Sequence, residues 1–344
     1  MMGADGRDTE RPHDKPTRDL ADHLAWPVAN WPVVQERAKL LRELRHFFDD
    51  SHFVEIETPL LSHDTVVDRH LDPLAVTLYP DPATPNEGPT FWLQTSPEFS
   101  MKRALSCYSH SIYQITRGFR AGESGRLHNP EFTILEWYQT PASYDDGMRL
   151  LEQLVDQVLD RPPARRIRYA DAFGEHFGID PHSATVDQLR SCAAGTQGQP
   201  ADFSDDKNGW LDWLLSESIQ PHLGYDQPVV LYDYPASQAA LAQISLGPPE
   251  VAERFELYVD GIELANGYYE LDDPIQLLAR AAAENKLRAI DGKFTLPETS
   301  WLADTMAGGL PPTAGVALGV DRLLMVRLGL KSIDEVLTFP ITRA

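Results

Sequence analysis

The sequence predicts an α+β domain in which helices flank an antiparallel sheet, and three observations carry the prediction. Six runs rich in β-branched and aromatic residues read as strands, at 113–120, 132–138, 228–235, 254–259, 262–269 and 315–320. Helical periodicity is confined to a few separate stretches, so strands and helices do not alternate as a parallel sheet would require. Asp260-Gly261 joins two of the runs. That dipeptide marks a two-residue hairpin, because a type I′ turn needs positive φ at both central positions.

Residues 1–30 are rich in Asp, Arg, Pro and Thr without periodicity, which predicts a disordered tail. Residues 31–344 keep a globular composition with no Gly/Ser linker, which predicts one domain. Within it Met148, Leu151, Leu154, Val155, Val158 and Leu159 recur at helical spacing until Arg161-Pro162-Pro163. This run opens a mostly helical insert around 145–225. Asp273 as cap and Pro274 as first residue predict a further helix through Ile290.

With 42% hydrophobic and 24% charged residues the chain reads as soluble and globular. No apolar run approaches the ~20 residues of a membrane helix, and the polar start lacks a signal peptide's apolar segment. Cys107 and Cys192 alone support neither a disulfide framework nor a four-cysteine zinc site, so a cytoplasmic location is expected. The net charge of −22 disfavours a nucleic-acid partner, tRNA included, since such proteins neutralise phosphates with a basic face.

In the hairpin closed by Asp260-Gly261, Val259 should face Ile262 and Tyr258 should face Glu263. Alternation then puts Glu256, Tyr258, Glu263 and Ala265 on one face, with the two carboxylates roughly 7 Å apart as diagonal neighbours. Unpaired they repel, and Mg²⁺ with phosphate oxygens would reconcile them. The same pattern also fits a solvated amphipathic hairpin. Glu270 joins the pair only if Asn266-Gly267 forms a bulge.

In a second hairpin, Phe132, Ile134, Glu136 and Tyr138 share one strand face. Arg120 ends the outgoing strand, and the loop carries Glu123, Arg126 and His128. Such a face is a floor for a purine, a phosphate and an ammonium group, although Arg120 alone fits a surface ion pair equally well. Ser96 can cap a helix that starts with Pro97 and carries Glu98 in its first turn, and capping by itself also accounts for Glu98. The Gly-punctuated strand at 315–320 runs into a helix opening with Asp321-Arg322. A cation is disfavoured there, so Arg322 needs a partner or a ligand.

In this order the segments resemble class II aminoacyl-tRNA synthetases of the lysine subgroup. FVEIETPLL (53–61), with Pro59, is similar to the first motif, which builds a dimer interface; residues 119–138 are similar to the second and 315–324 to the third. HNPEFT (128–133) and FELYVDGIELANGYYEL (255–271) resemble the lysine enzymes and their paralogues. YPASQAALAQIS (234–245), and the expected lack of an anticodon-binding domain, resemble the truncated paralogues that modify a lysine of elongation factor P. The resemblance spans roughly residues 33–344.

It implies a class II catalytic core that uses ATP and Mg²⁺ to turn (R)-β-lysine or lysine into its adenylate, then passes it to a lysine ε-amine of elongation factor P. It also implies a homodimer. Arg120 and Arg322 would be catalytic. ATP would be met by Arg120, Glu123, His128, Asn129, Phe132, Glu263, Leu264, Gly319 and Arg322. The amino acid would be met by Ser96, Pro97, Glu98, Glu136, Tyr138, Asn266, Glu270 and Ala317, and the metal by Glu256 and Glu263.

Ala317 stands where lysine-tRNA ligases usually carry Gly. Arg120-Ala121-Gly122-Glu123 replaces their Arg-Asn-Glu and displaces the carboxylate by one position. Three other readings compete: a shortened lysine-tRNA ligase, opposed by the acidity; a non-catalytic sensor, opposed by the retained phosphate clamps; and a ligase for a small-molecule acceptor, opposed by the HNPEFT run.

Overall fold

The computed structural model describes residues 25–196, 198 and 203–344, so most of the expected tail lies outside the described residues. The chain runs α1 (Trp31–Asp50), β1 (Val54–Glu55), β2 (Leu61–Ser62), β3 (Leu74–Thr77), β4 (Thr90–Leu93), α2 (Glu98–Tyr108), β5 (Ile112–Phe119), β6 (Glu131–Gln139) and α3 (Tyr144–Val158). It continues with β7 (Arg165–Arg168), α4 (Tyr169–Phe177), α5 (Val186–Ala194), α6 (Lys207–Leu214), β8 (Val229–Pro235), β9 (Ile244–Ser245), β10 (Val251–Val259) and β11 (Ile262–Tyr269). It closes with α7 (Pro274–Ile290), α8 (Trp301–Met306), β12 (Ala314–Gly319) and α9 (Val320–Arg327).

The main sheet has the order β1-β5-β6-β12-β11-β10-β8-β7, with β9 beside β10, and β2-β4-β3 forms a small second sheet. Pairing from β5 through to β8 is antiparallel, as expected, but β1–β5 and β7–β8 at the two ends are parallel. Parallel neighbours need a long crossover, and the chain supplies one through α2 and another through the insert helices α4–α6. The helix starts follow their caps. Asn30 accepts from Val33 N, Ser143 and Asp146 form a capping box, and Asp273 accepts from Ile275 N and Gln276 N ahead of Pro274. Ordered chain begins before residue 31: Val28 N and Ala29 N donate to Thr338 O and Leu337 O, and Ala29 is buried.

Alternation along β6 divides the molecule. Leu135 and Trp137 join the core beneath α1, α3 and α9, where Trp137 meets Phe48, while Phe132, Ile134, Glu136 and Tyr138 face the other side. Full burial of such large apolar side chains contributes about 1.5–3 kcal/mol each. The insert has its own core around Tyr169, Phe173, Leu211 and Leu214.

The β10–β11 turn has φ of 52° at Asp260 and 75° at Gly261, and Val259 and Tyr258 pair with Ile262 and Glu263 as expected. The bulge falls earlier than Asn266-Gly267. Leu257 pairs with Ala265, leaving Leu264 as the extra residue. Leu264 and Ala265 are both buried in the main core, so Ala265 leaves the face assigned to it. Asn266 now lies opposite Glu256, and the bulge brings Glu270 round to the same side. Burial of two consecutive apolar residues decides the position. Gly267 answers a different need, since a Cβ there would lie 2.4 Å from the Phe255 ring.

Candidate functional site

The polar faces of β6, β10, β11 and β12 floor a cavity of about 720 Å³, bounded by α6, α7 and the segment 66–71. Its size suits a cofactor-sized ligand. Every residue given a catalytic, ATP, amino-acid or metal role from the sequence lines it except Pro97. Pro97 sits at the N-cap of α2 and is buried within the protein, while Ser96 and Glu98 on either side turn into the cleft. The helix therefore starts one residue later than expected, and Ser96 Oγ accepts from Glu98 N at 3.2 Å.

One end of the cleft gathers carboxylates. Glu98, Glu136 and Glu270 arrive from α2, β6 and the end of β11, and Lys102 Nζ lies 2.6 Å from Glu98 Oε1 and 2.5 Å from Glu270 Oε2. Ser96 Oγ and Tyr138 Oη each donate to Glu136 at 2.6 Å. Glu98 and Glu270 thus share one cation, and Glu136 has none at ion-pair distance among the described residues. Burial and then the Glu98 charge push Glu136 up to about 7. Burial likewise raises Glu270 to about 8, with Lys102 pulling the other way. Burial works against the Lys102 charge, but Glu270 and Glu98 outweigh it and hold the ammonium protonated. Lys102 was missed from the sequence, where the signal was its i,i+4 spacing from Glu98.

β12 completes this end. Ala317 pairs with Glu136 on one side and Asn266 on the other, so its methyl stands between the two polar residues. Gly315 must be glycine: a Cβ there would lie 2.1 Å from Glu270 Oε1 and 2.5 Å from the Tyr138 ring.

The other end carries the arginines. The Arg120 guanidinium lies over Phe132, 4.9 Å from the ring centre, and 3.7 Å from Glu123. Its Nε is buried without a hydrogen-bond partner among the described residues, which suits an anion. Gly118 lets the Phe132 ring lie flat, since a Cβ would meet it at 2.6 Å. Arg322 donates to Glu263 O at 3.1 Å and Leu127 O at 3.2 Å and contacts His128 Nε2. Burial and then the Arg322 charge hold His128 below its ordinary value, so the ring is neutral near pH 7. Asp321 is committed elsewhere. It accepts from Thr133 N at 2.7 Å and pairs with Arg37 of α1, anchoring the start of α9.

Two residues have more protein partners than the sequence showed. Glu256 was expected at the metal beside Glu263. It is surrounded by donors from Tyr234 (2.6 Å), Asn266 (3.2 Å), Arg254 and Tyr258, because β8 and β10 bring a tyrosine pair and an arginine to its face. Glu263 is the freer of the two, with its carboxylate 3.9 Å from Arg322; enclosure in the cleft and then the Glu256 charge raise its pKa. Asn129, expected at the nucleotide, spends its amide on the chain itself, donating to Glu131 O at 2.6 Å and accepting from Ile341 N at 2.9 Å. Among the described residues no three His, Cys, Asp or Glu side chains form a metal cage. Nor is any helix among them long and apolar enough to cross a membrane.

Comparison with known proteins agrees with this architecture. The profile of the tRNA synthetases class II (D, K and N) matches residues 31–343. The elongation factor P–(R)-beta-lysine ligases of Salmonella paratyphi B and Salmonella schwarzengrund are each 42% identical over 327 residues, covering 94% of this chain and 100% of theirs. With the matched length, the mixed sheet and the cleft on its polar face, the chain belongs to the class II tRNA synthetase family of the D, K and N enzymes.

Proposed function

We propose that this protein uses ATP to activate (R)-β-lysine, or lysine, as the adenylate and transfers it to a lysine ε-amine of elongation factor P. The buried Glu98–Glu136–Glu270 pocket carries the reading. Three carboxylates meet there with one lysine, and an ammonium ligand would let Glu136 and Glu270 stay ionised where an uncompensated buried charge is costly. The unpartnered Arg120 Nε offers the complementary group for an α-phosphate. The names of the Salmonella relatives state the same amino acid and the same acceptor.

In the first step the amino-acid carboxylate attacks the α-phosphorus and pyrophosphate leaves. In the second the acceptor's neutral ε-amine attacks the adenylate carbonyl carbon, the C–O bond to phosphate breaks, AMP departs with the electron pair, and the extra proton is lost. Positioning and charge neutralisation supply the catalysis. Arg120 holds the α-phosphate and approaching carboxylate, and Arg322 holds the far phosphate and covers the adenine, whose other face rests on Phe132. Mg²⁺ would neutralise phosphate charge, held by Glu263 with Glu256. A pair of carboxylates completed by phosphate oxygens is the donor set this small, hard ion prefers.

We place the reaction in the cytoplasm and in a homodimer. Val54, within the segment similar to the first motif, is 53% exposed. The test is the intact mass of elongation factor P after incubation with enzyme, ATP-Mg²⁺ and either (R)-β-lysine or lysine. A gain of one lysyl residue is expected. Pyrophosphate release without that gain, together with charging of tRNA, would replace this reading with the tRNA ligase.

A further inference from the structure

The run YPASQAALAQIS does more than close a turn. In α6, Trp210, Leu211 and Leu214 pack into the core of the insert, which turns Asn208 and Asp212 toward the cleft. The turn at 236–238 is fastened to this helix. Ser237 Oγ donates to Asn208 Oδ1 at 2.6 Å, Asn208 Nδ2 donates back to Ser237 O at 3.1 Å, and Gln238 Nε2 donates to Asp212 Oδ1 at 2.7 Å. Arg254 Nη1 holds Gln238 O at 2.9 Å from the opposite side.

A carboxylate only accepts, so Asp212 fixes the amide of Gln238 with Nε2 toward itself and leaves Oε1 to the cleft. Gln238 is 8% exposed and lines the cavity, yet no donor reaches its Oε1 among the described residues. Asp212 also lacks a cation at ion-pair distance among the described residues, because the nearby Arg254 is committed to Glu256. Gln238 Oε1 without a donor, beside a carboxylate without a cation, calls for a positively charged group with several N–H bonds.

We propose that Asp212 and Gln238 form a second ammonium-binding subsite, distinct from the Glu98–Glu136–Glu270 pocket, which takes a primary amine. The inference rests on the ligase reading, whose reaction brings two such groups beyond the one held by the glutamates. They are the second amine of the diamino acid and the ε-ammonium of the acceptor lysine. Enclosure by protein pushes the Asp212 carboxyl up to about 6, opposed by Arg254, and a bound ammonium would stabilise the charged form.

Asp212→Asn and Gln238→Met separate the possibilities, each first checked for an unchanged melting temperature. Three quantities are compared with wild type: the KM for (R)-β-lysine and lysine in ATP–pyrophosphate exchange, the KM for 6-aminohexanoate, which has a single amine, and the KM for elongation factor P in transfer. Losing a hydrogen bond to a charged group should raise the affected KM roughly tenfold or more. A rise confined to elongation factor P places the acceptor's amine in the subsite. A rise for the diamino acids but not 6-aminohexanoate places the amino acid's second amine there. No change in any KM overturns the subsite, and so does an equal rise in all three, which marks a structural role. Wild-type enzyme without exchange on any amino acid would instead remove the ligase reading.

Discussion

Glu270 and Glu136 stand near 8 and 7 in the ligand-free protein, so both bind a proton over part of the neutral range. An ammonium ligand needs them ionised. The KM for the amino acid should therefore rise as pH falls from 8 to 6, by at most about tenfold per unit for each group. Pyrophosphate exchange across that range checks it, and a flat profile would show that these carboxylates do not meet the ligand. Glu270→Gln should lose roughly a hundredfold or more in exchange, since a charged partner inside a dry pocket is removed. Near-normal exchange would take Glu270 out of the site. Strand alternation alone put Glu136 on the floor, whereas Glu98 and Glu270 entered the expected site through the family resemblance. Lys102 was harder because its second partner, Glu270, is remote in sequence. The donors around Glu256 were hidden for the same reason, Tyr234 arriving from β8 and Asn266 from across the bulge.

At the scale of elements, β5 and β6 show how a floor is set by what is missing. Gly118→Ala would force the Phe132 ring off its seat, and the KM for ATP should rise several-fold while the KM for the amino acid changes less. Equal changes in both would deny Phe132 its place under the nucleotide. Gly267→Ala, by contrast, overpacks Phe255 and Val316 and should cost about 1–3 kcal/mol in denaturant unfolding. The need for a bulge in β11 could be read from the polar pattern, but its position could not. A glycine in a strand marks a bulge or a close approach equally well, and here Phe255 makes it the latter. The parallel ends of the sheet were illegible because β1 has two residues and β7 has four, too few to show a period.

Across the whole molecule, Asp321 ties α1, β6 and α9 together through Arg37 and Thr133 N. Asp321→Ala takes the carboxylate from the Arg37 charge, which keeps only its bonds to Thr133 Oγ1 and Val336 O, and frees the Thr133 N–H, so the fold should lose about 3–5 kcal/mol. A denaturant midpoint unchanged from wild type would show that the tie is redundant. The architecture itself was legible, since its antiparallel centre follows from six runs and one turn dipeptide. The insert's packing was not, because its short helices reveal their buried faces only once β8 and β10 give them a wall. Lys102, finally, presents to Glu98 and Glu270 the same chemical group that the amino acid would bring. Those two carboxylates thus have a tethered cation of their own, and the burial of this end of the cleft does not wait on the charge of a ligand.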